Sequence, residues 1–159
     1  MSTEFGKRVS AIVSTAILLS AAACVLYAPA GAAAPATVQD FKWMVGKLPS
    51  EVVGDQRFRK AFNELRPNEW KRIVERFGAS DIAGVQLKDG FYFASGCKQH
   101  ACSSDLAAFA ISASTGEGSV IYRATVNEAT GKTVTRSFSP PDTPIERTPL
   151  AAWAKTNGL

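Results

Sequence analysis

The residue types best suited to chemistry crowd into one stretch, Gly96-Cys97-Lys98-Gln99-His100-Ala101-Cys102-Ser103-Ser104-Asp105. It holds two of the three cysteines and, between them, the only histidine of the chain. Catalysis is poorly served by this set. A Cys-His nucleophile needs a free thiol. A serine triad would have to take His100 as its base, and although Ser103 and Ser104 are near, no Gly-x-Ser-x-Gly elbow is present. Zinc requires more His and Cys ligands than these. The Cys-x4-Cys spacing is not the Cys-x-x-Cys of thioredoxin-type redox sites, and no glycine-rich phosphate loop occurs. A binding protein is the better class, with no catalytic residue, metal or cofactor expected. An esterase or transferase built on His100 is the weakest alternative.

The flanking residues say how this stretch is held. Phe91-Tyr92-Phe93-Ala94-Ser95-Gly96 is an aromatic β-type segment, and Leu106-Ala107-Ala108-Phe109-Ala110-Ile111 is an apolar one. A polar, cysteine-bearing loop between two strands is the tip of a hairpin, presented to solvent. A constrained loop that delivers one side chain binds at a lower ordering cost than a free one.

At 159 residues, 46% of them hydrophobic and 20% charged, the chain has globular composition and room for one ordinary core. Its N-terminus departs from that average. Lys7-Arg8 precede an uncharged run, Val9 to Leu26, followed by Ala28-Pro29-Ala30-Gly31-Ala32-Ala33-Ala34. A basic start, an apolar middle and small residues at the end make a secretory signal peptide over residues 1–34, cut after Ala32 or Ala34. A retained anchor helix or a lipoprotein site at Cys24 are the weaker readings. Cleavage removes Cys24 and leaves Cys97 and Cys102 in an oxidising compartment, where they are expected to pair. The mature chain, residues 35–159, keeps 16 basic and 13 acidic residues, a net charge of +3. The basic residues are spread along the sequence without a run, which argues against nucleic acid as a partner.

Within the mature part, residues 40–45 read as a short amphipathic helix ended by Gly46 and Pro49. Asp55 is positioned to cap a second helix carrying Phe58, Ala61, Phe62 and Leu65. Pro67 breaks that pattern. Asn68 caps a third helix with Trp70, Ile73, Val74 and Phe77, stopped by Gly78. Trp43 and Trp70 read as core residues. The period then changes to that of strands: 84–87, a turn at Asp89-Gly90, 91–96, 106–112, 119–126, a turn at 128–132, and 133–138. Residues 150–155, with Trp153, suggest a last helical turn. The expected fold is α+β, a central antiparallel sheet of about five strands with the N-terminal helices packed on one face.

The hexapeptide Cys97-Lys98-Gln99-His100-Ala101-Cys102, set between a strand ending Ala94-Ser95-Gly96 and one containing Ala107-Ala108-Phe109, resembles the inhibitor of vertebrate lysozyme (Ivy) family. The resemblance runs from about Val38, but only the hexapeptide and its flanking strands are specific. It implies a periplasmic Gram-negative inhibitor of c-type lysozyme that inserts this loop, histidine foremost, into the active-site cleft. By the same resemblance, Cys97 and Cys102 shape the loop, His100 meets the carboxylates, and Lys98 is a rim contact. The family pattern is Cys-Lys-Pro-His-Asp-Cys, so Gln99 stands for proline and Ala101 for aspartate. Gln99 loses a φ restraint, and Ala101 loses an acceptor that could hold the loop or pair with an arginine of the partner. A rival of another class is an envelope protein of the same fold whose loop recognises a different peptidoglycan-processing partner or a glycan. Neither requires a stable membrane anchor after cleavage, and both leave a homodimer open.

Overall fold

The structure, a computed structural model, describes residues 40–80 and 82–159. The predicted signal peptide and its cleavage site lie outside the described residues.

A 3-10 turn, Lys42–Met44, opens the described chain, followed by α1 (Pro49–Val52), α2 (Gln56–Lys60) and α3 (Pro67–Val74), which tightens into a 3-10 turn at Glu75–Phe77. The strands are β1 (Ala79–Ser80), β2 (Gln86–Lys88), β3 (Phe91–Cys97), β4 (Leu106–Ser112), β5 (Gly118–Asn127) and β6 (Lys132–Phe138). A 3-10 turn at Ile145–Arg147 leads into α4 (Pro149–Thr156). All strand pairings in the sheet are antiparallel, in the order β1-β3-β4-β5-β6, with β2 sharing the β3 edge with β1. The expected α+β meander is therefore present, with one short strand more than the sequence suggested.

Prolines are used differently from the sequence expectation. Pro67 does not break a helix but begins α3, with Arg66 as its N-cap, and Asn68 lies inside the first turn. Pro49 likewise starts α1. At the first helical position the missing N–H costs nothing, and the fixed φ suits the helix. Asp55 caps α2 as expected, accepting a hydrogen bond from the Arg57 N–H at 2.7 Å. Gly78 follows the end of α3 with φ −69°, so it is not a left-handed cap. The Asp-Gly pair does act as expected. Asp89 and Gly90 both take positive φ (50° and 80°), and Lys88 faces Phe91 across them. That is the two-residue turn whose twist suits a hairpin.

Strand β4 is buried along its whole length, and its alternation divides the core in two. Ala107, Phe109 and Ile111 face the N-terminal helices together with Tyr92, Val120 and Tyr122. Ala108 and Ala110 face the other way, with Ile121, and are covered by Leu150 and Ala154 of α4 and by Trp153. The N-terminal helices thus occupy one face and α4 the other. Phe109 is the hub of the larger layer. Its ring centroid lies 4.8 Å from that of Phe58 and 5.6 Å from that of Phe77, both edge-on. Trp70 joins the same cluster through Phe58 and Phe62. Trp43 packs against this layer too, so both tryptophans are half-buried and border the core.

The end of β3 that leads into the loop is unusually tight. A Cβ on Gly96 would lie 2.8 Å from the Ala79 carbonyl oxygen and 3.0 Å from that of Arg76. Both neighbours are backbone atoms, so neither can move aside without displacing β1 or the turn after α3. Gly96→Ala should lower stability by about 1–3 kcal/mol, as overpacking does. Urea unfolding checks it, and an unchanged midpoint would show that this junction yields.

Candidate functional site

The sequence-selected residues come together at the tip of the β3–β4 hairpin. The ladder closes at Cys97↔Leu106, and residues 98–105 form the loop between them. A disulfide joins Cys97, the last residue of β3, to Cys102 inside the loop, with Cα atoms 4.9 Å apart. The expected pairing is present. The Ala101 N–H donates to the Lys98 carbonyl at 2.9 Å, closing a turn over Gln99 and His100. His100 has φ +64°, and Gln99 is not among the positive-φ residues. That combination marks a type II turn, whose third residue favours glycine and whose second suits proline. A second turn follows at once, where the N–H groups of Ser104 and Asp105 both donate to the Ala101 carbonyl. Lys98, Gln99, His100 and Cys102 are exposed, and Ala101 is half-buried.

Beneath this exposed tip lies a buried ionic anchor. Asp105 is 2% exposed and Arg76 4%, and their side chains meet at 2.6 Å. Each is further bonded. Arg76 donates from Nε to the Arg123 carbonyl at 2.8 Å and from Nη1 to the Arg72 carbonyl. Its guanidinium also lies 5.6 Å from the centre of the Tyr122 ring. Asp105 accepts from the Thr125 N–H at 3.2 Å, from the Thr125 hydroxyl, and from the Ser104 hydroxyl at 3.0 Å. The β5–β6 register shifts between Thr125 and Asn127. Such a bulge locally interrupts ladder bonding and re-aims side chains, and here it accompanies the turning of Thr125 towards the loop. The main chain of Asp105 completes the anchor, its carbonyl accepting from the Lys98 N–H at 2.8 Å. One residue therefore ties the loop to itself, to β5 and to the end of α3.

Sequence reasoning included Asp105 in the loop stretch but gave it no role, and it did not single out Arg76 or Thr125. The available signal was an aspartate directly before an unbroken apolar strand, a place where a carboxylate is buried and must find a cation. Burial alone would raise the Asp105 pKa. The two Thr125 bonds, the Ser104 bond and the Arg76 charge outweigh it and hold the carboxyl below its ordinary value.

A group depressed in the folded state stabilises the fold above its unfolded pKa, about 3.9 for aspartate. That contribution is lost as pH falls through the lower folded value. Asp105→Asn leaves Arg76 buried without its counter-charge, a change that typically costs about 3–5 kcal/mol. Unfolding measured from neutral pH to below pH 4 should show this loss at neutrality and a flatter acid dependence than wild type. Equal acid dependence in both proteins would mean that the pair carries no such linkage.

Among the described residues no group of His, Cys, Asp and Glu could hold a metal ion, and no helix is long and apolar enough to cross a membrane. No curated protein and no solved structure matches the chain. The family model described as inhibitor of vertebrate lysozyme (Ivy) matches residues 55–146. That span begins at the cap of α2 and contains β1 to β6 and the whole anchored loop. By this match the chain belongs to the inhibitor of vertebrate lysozyme family.

Proposed function

We propose that the Cys97–Cys102 loop is the inhibitory element and that it enters the active-site cleft of a c-type lysozyme with His100 foremost. The observation that carries this is the conformation of His100. A non-glycine residue at φ +64° costs about 1–2 kcal/mol relative to ordinary backbone. His100 is exposed and buries nothing in return, so the cost serves no packing in the free protein. Strain held by its surroundings and directed at solvent is a feature of binding sites. Here the disulfide and the Asp105 anchor are what hold it.

The chemistry fits a glycosidase cleft. A retaining glycosidase sets two carboxyl groups about 5–5.5 Å apart around the scissile bond. In lysozyme one is a protonated acid in an apolar pocket and the other is ionised. An imidazole has a nitrogen on each side of a flat ring and can bond to both. It offers no glycosidic bond, so nothing is cleaved and the cleft stays filled. Lys98 flanks the tip as a rim contact. In this reading residues 1–34 direct export to the periplasm, residues 35–159 act as the inhibitor, and no cofactor takes part.

His100→Ala should leave the melting temperature nearly unchanged and weaken inhibition of a c-type lysozyme by tens- to thousands-fold. Losing a bond to a buried charged group typically costs about 2–5 kcal/mol. An unchanged inhibition constant would move the contact to another exposed residue of the tip, Lys98 first.

Gln99 occupies the turn position that suits proline, and its N–H makes no hydrogen bond among the described residues. Gln99→Pro should therefore stiffen the loop, raising stability by about 0.4–1 kcal/mol and tightening inhibition mainly through slower release. Weaker inhibition together with higher stability would show that the loop must move in order to bind.

A further inference from the structure

Two arginines of α3 and one of β6 line a common groove. Arg66 caps α3, Arg72 lies in its last turn, and Arg136 stands on β6. Glu69 lies among them and pairs with two. Its Oε1 accepts from Arg136 at 2.9 Å and lies 3.6 Å from Arg66 Nη2, while Tyr122 donates to Oε2. The Tyr122 bond is the largest cause of a lowered Glu69 pKa, and the charges of Arg136, Arg72 and Arg66 all act in the same direction against its burial. Three guanidiniums against one carboxylate leave a local excess of two positive charges around a groove of about 470 Å³. The Arg66 and Arg136 side chains are 79% and 51% exposed, whereas that of Glu69 is 16% exposed. The carboxylate is used inward and the cations face out.

This cationic surface is continuous with the loop. Arg72 also lines a second groove, of about 520 Å³, whose lining includes Lys98, Ala101 and Ser104 of the loop. Glu75 and Glu128 border that groove and offset part of the charge nearest the loop, so the excess lies at the α3–β6 end. A stable protein complex covers about 800 Å² on each partner. An eight-residue tip cannot supply that area, and an enzyme seated on the loop must also cover surface beside it. Arg136, held by Glu69 at 2.9 Å, is well prepared for such a contact, because its planar fork is already oriented.

Given the loop as the lysozyme-binding element, we propose that Arg66, Arg72 and Arg136 form a second contact surface for the same enzyme, one that takes a carboxylate-bearing rim beside the cleft. The inhibitor then discriminates among c-type lysozymes by the charge of that rim and associates fastest with those whose rim is acidic. The cations contribute mainly to the rate of association, as rim charges do, and His100 to the rate of release.

The test is association and dissociation kinetics at two ionic strengths, against one c-type lysozyme with an acidic cleft rim and one with a basic rim. Four proteins are compared: wild type, Arg66→Gln/Arg136→Gln, His100→Ala, and a charge-matched control, Arg147→Gln/Lys155→Gln. The control residues are exposed and belong to the turn before α4 and to α4, which packs on the opposite sheet face. The expected result is that the arginine variant, with an unchanged melting temperature, associates about tenfold more slowly with the acidic-rim enzyme at low salt. Its salt dependence should flatten while the control stays close to wild type. Equal slowing in variant and control, or wild type preferring the basic-rim enzyme, overturns the proposal and leaves the loop assignment standing. No binding of wild type to either enzyme, or full binding by His100→Ala, overturns the loop assignment and the arginine surface with it.

Discussion

The buried pair of Arg76 and Asp105 is the interaction on which the rest of the structure depends. Two opposite charges at 2.6 Å, both nearly inaccessible, are not in themselves a source of stability, because taking them out of water offsets most of their attraction. What they supply is specification. Arg76 can satisfy its remaining donors only where the Arg72 and Arg123 carbonyls are within reach, and Asp105 only where Thr125 is turned towards it. The end of α3, the bulged end of β5 and the start of β4 are therefore placed together or not at all. A hydrophobic contact at this point would tolerate sliding; a fully bonded ion pair does not.

The apolar core explains how such a pair can be held so far from water. Strand β4 is covered on both faces, by the aromatic layer around Phe109 and by α4. Its alanines at 107, 108 and 110 keep the strand thin enough for helices to approach from both sides. Asp105 stands at the mouth of this double cover, where the hairpin leaves the core. The burial that isolates the ion pair is thus the same burial that stabilises the sheet.

The tip above the anchor follows the opposite logic. It exposes its charged and polar side chains, keeps one residue in left-handed backbone, and rests on a disulfide and a carboxylate beneath it. A loop ordered before it meets a partner gives up less entropy on binding. The cost of that order is taken up in the folding of the domain. Glu69 does for Arg136 what Asp105 does for the loop: a carboxylate turned inward sets the position of a group turned outward.

Much of this was legible in the sequence, because it depends on local chemistry. Period-two alternation with an Asp-Gly turn defines a hairpin wherever it occurs, and the strands and the α+β class followed from it. Two cysteines flanking one histidine between two β-type segments marked the loop. The family resemblance on that hexapeptide agrees with the family match over residues 55–146. The helix starts were misplaced by a residue or two, since a proline reads alike as a stop or as a first helical position until its neighbours are known. What only the tertiary structure decided was convergence. The partnership of Arg76 with Asp105 spans 29 positions and that of Glu69 with Arg136 spans 67. Basic residues that are evenly spread along the chain become a cluster once α3 lies beside β5 and β6. No local propensity encodes such pairs. They arise because packing removes water from particular charges, and each charge so buried must be met by whatever the fold brings to it.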